Sequence, residues 1–276
     1  MIDIRLYKPQ DIDIQTAFPS EWNECTLAQL HLIARCIFIK PVTQPRLLIE
    51  MLRLSIQHSH PYLKPEMVGR ILTLINIEDL AASYSNLLAF IFESVTLTEQ
   101  RQAFFGVPNK EILFFYGPKS SFEDLTVGEF EDADHCFGQW QAARKAENTH
   151  LTRSHLAHLV AILYRPYVGS VRQPYTGYDA TLQLKHIGSI GLEKLYTVLL
   201  WYMGCKALLP KMFPLVYNHP AAAPGDIAEP DPMAITRLIH HGAGPKNGTR
   251  DDIRRMRLHE FLFDLNLEAE KDTIGS

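Results

Sequence analysis

Cysteine is scarce in this chain: Cys25, Cys36, Cys136 and Cys205 are its only four, widely spaced and without a CxxC pair. That spacing excludes a disulfide scaffold and a zinc ribbon, and it fits reduced, buried thiols in a cytoplasmic protein. Basic excess is lacking too. With 27 Lys and Arg against 31 Asp and Glu, the formal net charge is −4, which argues against a dedicated nucleic-acid binder. No apolar run has the length of a membrane span. The most apolar stretch, Leu195–Cys205, lies between Lys194 and Lys206 and has about half the necessary length, so it reads as a core helix. The opening "MIDIRLYKPQDIDIQTAFPSEW" has no basic region followed by an apolar one, so it does not read as a secretory signal. Catalytic signatures are missing as well: there is no G-x-S-x-G elbow and no HExxH, and in "GAGPKNGT" Gly248 is followed directly by Thr249, without the lysine that a phosphate loop places between them.

What is present is helical periodicity on an ordinary globular composition, 46% hydrophobic and 21% charged. Thr26 is placed to cap a helix through Ile39, with Leu27, Leu30, Ile33 and Ile37 on one face. A second helix starts near Thr43 with Pro45 in its first turn, and two more are expected over about 65–75 and 78–93. Between Ser94 and Phe122, "VTLTEQ", "RQAFFG" and "KEILFFYG" break the pattern and predict a small hairpin or an irregular connection. Thr126 and Glu129 form a capping box for a helix carrying Val127, Phe130, Ala133, Phe137 and Trp140. Thr152 is expected to cap the next helix, Pro166 to end it, and "YVGSVRQPYTGYD" to be loop. A long helix follows over about 191–212.

The expected fold is therefore mainly α: a multi-helix array with a short extended N-terminal arm, a small irregular or β-hairpin segment in the middle and a C-terminal helical appendage. The main helical domain is expected to span 1–213, with a sub-boundary near 94–122. Residues 214–232, rich in proline and without a basic side chain, read as a linker, and 233–276 as a C-terminal helical segment.

Two constellations are candidate sites. Asp132 and His135 share one helix face, and His155 and His158 share a face of the next helix. Apposed antiparallel, the four would supply the ligand types of a zinc or iron site. Polar residues opposite an apolar stripe are also what a solvated face looks like, and no cofactor is assigned. The C-terminal helix carries Leu258, Phe261, Leu262 and Leu265 on one face and Met256, Phe263 and Leu267 on another. A helix that only covers its own domain needs one stripe, so Met256, Leu258, Phe261, Leu262, Phe263 and Leu265 are the expected contact surface for another protein chain. Arg250, Arg254, Arg255 and Arg257 cluster at the start of that segment.

Three segments carry a family resemblance: "PSEWNECTLAQL" (Pro19–Leu30), "LTVGEFEDADHCFGQW" (Leu125–Trp140) and "LAHLVAILYRPY" (Leu156–Tyr167). A Trp-Asn-Glu-x-Thr entry to a first helix, an acidic helix and a Leu-rich helix ending in Tyr-Arg-Pro resemble bacteriophage and prophage tail-assembly chaperones and baseplate-assembly proteins. The resemblance implies a non-enzymatic, cytoplasmic assembly factor that binds another phage protein, such as a tape-measure or hub subunit; on the charge balance and the shortness of the apolar run, neither nucleic acid nor membrane is an expected partner. A homo-oligomer stays open, as do a structural virion subunit and a metal-dependent helical enzyme. The resemblance implies structural roles for Trp22 as an anchor, for Thr126 and Glu129 at a helix start, and for Tyr164 and Arg165 at a helix end.

Overall fold

The computed structural model describes residues 1–8, 12–74, 85–107, 113–168, 171–175, 178–217, 234–244 and 248–274. The fold is mainly α with two small β-sheets. Among the described residues no helix is long and apolar enough to cross a membrane. The chain divides into two compact units, Met1–Leu97 with Leu192–Gly204, and Thr98–Gly191 with Cys205–Ser276.

The first unit opens with an antiparallel pair, β1 (Ile2–Lys8) and β2 (Ile12–Phe18), in place of a bare extended arm. Alternation explains it: Ile4 and Leu6 of β1 and Phe18 of β2 are buried, while Arg5 faces out and pairs with Asp13. Helix α1 (Leu27–Phe38) starts at a full capping box between Thr26 and Gln29, and buries Leu30, Ile33 and Ala34. Helix α2 (Gln44–Ser59) has Pro in its first turn and buries Leu48, Met51, Leu52 and Ile56. Trp22 is buried, with its ring edge-on to Phe90 at 5.8 Å. Helix α3 (Pro65–Thr73) follows. Of the helix expected over 78–93, part lies outside the described residues; the rest is a 3-10 turn and the single helical turn Ala89–Phe92.

The second unit combines helices with a four-stranded antiparallel sheet, in the order β3 (Phe104–Val107), β4 (Leu113–Tyr116), β5 (Arg165–Val168), β6 (Val171–Arg172). The expected small hairpin is thus β3–β4. The stretch expected as loop instead supplies the end of β5 and all of β6: Arg165 and Pro166 pair with Tyr116 and Phe115 of β4, and Tyr167 and Val168 pair with Arg172 and Val171. Helix α4 (Val127–Lys145) starts at the Thr126–Glu129 capping box. Helix α5 (Thr149–Leu163) is capped by Asn148, not Thr152; the Thr152 hydroxyl donates back to the Asn148 carbonyl at 2.7 Å. Helix α6 (Ala180–Ile187) follows, and then α7 (Leu192–Met212), which runs on through Pro210 and gives Leu192–Gly204 to the first unit and its remainder to the second. The linker expected over 214–232 lies outside the described residues except for the helical turn Pro214–Tyr217.

Beyond it come α8 (Ala234–Gly242), α9 (Arg250–Arg255) and α10 (Leu258–Ile274). The single C-terminal helix read from the sequence is broken at Met256, which is extended. There the chain docks on the entry to α4: the Val127 N–H donates to the Met256 carbonyl at 3.0 Å and the Leu258 N–H to the Leu125 carbonyl at 2.8 Å. Two backbone hydrogen bonds to a neighbouring segment replace the helical ones lost at the break.

Candidate functional site

The sheet of the second unit has one buried and one partly open face. Phe105 and Phe115 point inward and are buried. Residues in alternate positions share the other face, as do directly paired residues. Phe104 pairs with Tyr116, Tyr116 with Arg165, and Tyr167 with Arg172. One face therefore runs from the rings of Phe104, Phe114, Tyr116 and Tyr167 to the guanidinium groups of Arg165 and Arg172. The rings touch in sequence: Phe104 lies 5.7 Å from both Phe114 and Tyr116, and Tyr116 3.8 Å from Tyr167. Phe104, Phe114 and Tyr167 remain 49%, 44% and 47% exposed.

At the other end of this face the sheet meets the start of α4. Glu129, 1% exposed, accepts the Thr126 N–H through Oε2 at 3.0 Å, and its Oε1 faces Arg165 Nη2 at 2.7 Å and Arg172 Nη2 at 3.0 Å. The last two are charge contacts without hydrogen-bond alignment. One carboxylate thus caps a helix and balances two guanidinium groups. Arg172 also donates to the Leu163 carbonyl at 2.7 Å, and Asp124 lies 3.9 Å from it. Arg165 is 3% exposed and sits over the Tyr175 and Tyr178 rings, at 5.4 and 5.9 Å, while its Nε and Nη1 have no hydrogen-bond partner. Burial brings the Arg165 pKa down to about 10, against the pull of Glu129, so the group stays charged at neutral pH. A cavity of about 510 Å³ opens here, lined among others by Lys119, Asp124, Glu129, Arg165, Arg172 and Tyr175.

The four residues read as candidate metal ligands have other partners or surroundings. Asp132 accepts from the Tyr175 hydroxyl at 2.5 Å and from Arg254 at 2.7 Å, with burial raising its pKa above the ordinary carboxylate value. His135 bonds Gln139 at 2.9 Å. His158 is half-buried, its pKa lowered first by burial and then by His155. Among the described residues no group of three or more His, Cys, Asp or Glu side chains is placed to hold a metal ion.

Nor is the acidic face of α4 simply solvated. Glu131 and Asp134 are buried. Glu131 takes Arg250 at 2.9 Å, the Thr236 hydroxyl at 2.8 Å and Arg254, and Asp134 takes Lys206. The arginine cluster of the C-terminal segment thus ties α9 to α4 within this unit.

Of the residues expected to contact a partner, Leu258, Phe261, Leu262 and Leu265 are buried in this unit's own core, because the break at Met256 turns that stripe inward. Phe263 is 55% exposed and Met256 is half-buried. The expected two stripes therefore separate into a core stripe and a small exposed one. Tyr164 is fully buried and its hydroxyl donates to the Gln102 carbonyl, next to β3. The sequence reading passed over Phe104, Phe114, Tyr116, Tyr167 and Arg172. Phe104, Phe114 and Tyr116 lie in "RQAFFG" and "KEILFFYG", where a small hairpin or an irregular connection is expected, and Tyr167 and Arg172 lie in "YVGSVRQ", expected as loop. Comparison with protein-family models, with curated proteins and with solved structures finds no match for this chain.

Proposed function

We propose that this chain is a non-enzymatic protein-binding factor, and that the aromatic face of its four-stranded sheet is the contact surface. The observation that carries this is the row Phe104, Phe114, Tyr116 and Tyr167, ring against ring and largely open. Contiguous exposed apolar surface is unfavourable in water, and aromatic side chains are concentrated at the centres of protein interfaces. Among the described strands β3 forms one edge of the sheet, which suits an extended apolar segment of another protein. Such a segment adds its backbone to the edge and lays alternate side chains over Phe104 and Phe114.

In the finer form of this proposal the chain works in the cytoplasm as a phage or mobile-element tail-assembly factor of the type that Pro19–Leu30, Leu125–Trp140 and Leu156–Tyr167 resemble. A tail component is then the partner. The test is to express the full chain with the proteins of a tail-assembly locus, identify a stoichiometric partner, and repeat the binding with both components purified. The Phe104→Ser/Phe114→Ser variant is expected to keep its melting temperature and lose the partner. Retention of the partner by that variant excludes the sheet face. Persistence of the chain itself in purified particles makes it a structural subunit instead of a chaperone, which is released.

A further inference from the structure

The cationic end of the sheet face has a charge excess that its own carboxylates do not meet. Lys119, Arg165, Arg172, Arg254 and Arg255 line the cavity, against Asp124 and Glu129 alone. Arg254 is answered from outside the lining by Glu131 and Asp132. Among the described residues Arg255 has only an exposed 3.9 Å approach to Asp252, an arrangement that contributes little. Four cations therefore face two carboxylates within the cavity. Arg165 and Arg172 divide Glu129 between them, and one oxygen of Asp124 is already taken by the Lys119 N–H at 2.6 Å.

Burial sharpens the imbalance. A guanidinium group removed from water is stable only when acceptors satisfy its donors, and Arg165 leaves Nε and Nη1 without any. The donors at the start of α4 do not account for the charge, since the Thr126, Val127 and Glu129 N–H groups are already bonded within the protein. Two adjacent guanidinium groups with a lysine at the rim match an oxyanion with several acceptor oxygens better than a lone carboxylate.

We infer that this cavity binds a dianionic phosphate group, carried by a small monoester whose organic part lies against Tyr167, Pro174 and Tyr175. About 510 Å³ is far more than inorganic phosphate fills and lies within the usual range for small-molecule pockets. The inference stands on the cavity and its charges and not on the protein-partner reading, so either can fail alone.

The test is calorimetric titration of the full chain with inorganic phosphate and, separately, with adenosine monophosphate, at fixed ionic strength with chloride as the control anion. Saturable binding of one equivalent is expected, with a rise in melting temperature. Lys119 and Arg255 are exposed, so Lys119→Glu/Arg255→Glu folds normally and is expected to weaken binding at least about tenfold, since it reverses two charges at the mouth. Arg165→Lys keeps the charge but loses the fork and is expected to weaken it as well. Tighter binding of the monoester is the expected result; equal binding of the two keeps the phosphate site and overturns the contact of an organic part with Tyr167, Pro174 and Tyr175. No binding beyond that in chloride, undiminished binding by the double variant, or displacement of phosphate by an equimolar dicarboxylate overturns the phosphate site.

Discussion

Replacing Glu129 by Gln isolates what the buried carboxylate does. Glutamine at the third helical position still accepts the Thr126 N–H, so the capping box survives and only the charge is removed. What remains are two guanidinium groups, Arg165 at 3% and Arg172 at 8% side-chain exposure, with Asp124 at 3.9 Å from Arg172 as the nearest carboxylate. Breaking a buried ion pair from one side costs about 3–5 kcal/mol, because the orphaned charge stays out of water. At about 2–4 °C per kcal/mol for a unit of this size, the melting temperature is expected to fall by about 6–20 °C. The readout is urea and thermal unfolding followed by the fluorescence of Trp140, which belongs to the second unit. Thr126→Ala, which removes only the hydroxyl cap, is the comparison and costs about 1 kcal/mol. Adding Arg165→Met to Glu129→Gln is expected to restore part of the loss. A loss for Glu129→Gln no greater than for Thr126→Ala refutes the reading of Glu129 as the counter-charge to both arginines.

Stability is expected to fall on mild acidification. Burial lowers the pKa of His158 and His259, so the unfolded chain takes up protons first. The loss begins as pH drops through about 6.5 and levels off below the depressed native values; His259→Phe flattens the slope in a pH series of urea midpoints, and an unchanged slope excludes His259. The four cysteines are buried, with burial pushing Cys136 up to about 11 and Cys205 up to about 12. A thiol reagent at pH 8 is therefore expected to find no reactive thiol before denaturation and all of them after it. Phe261 is fully buried and Phe263 half-exposed; Phe261→Asp is expected to abolish cooperative melting of the second unit, while Phe263→Ser changes stability by less than about 0.5 kcal/mol. Equal effects from the two reject the placement of α10.

Local signals were the legible ones. Thr26 and Thr126 both read as helix starts, and each side chain accepts from the N–H three residues on. Periodicity likewise located α1, α2 and α7. The sheet was harder, because β5 exists through pairing with β4, which is remote in sequence, and β6 in turn through pairing with β5. The break at Met256 was hidden for the same reason: α9 and α10 form one good amphipathic pattern, and only the docking of Met256 and Leu258 on the entry to α4 interrupts it. Glu129 read as a cap, and that role holds. Its second role, between Arg165 and Arg172, follows from strand pairing that brings the two arginines beside the helix start. The same pairing assembles Phe104, Phe114, Tyr116 and Tyr167 into one aromatic face, which spacing along the chain does not reveal.

The most direct test of that face is the affinity of the stoichiometric partner found by the proposed co-expression for the wild-type chain and for Phe104→Ser/Phe114→Ser, measured beside their melting curves. Loss of two central aromatic contacts is expected to weaken binding at least about tenfold with the melting temperature unchanged. Equal affinity of the two proteins contradicts the sheet face as the binding surface.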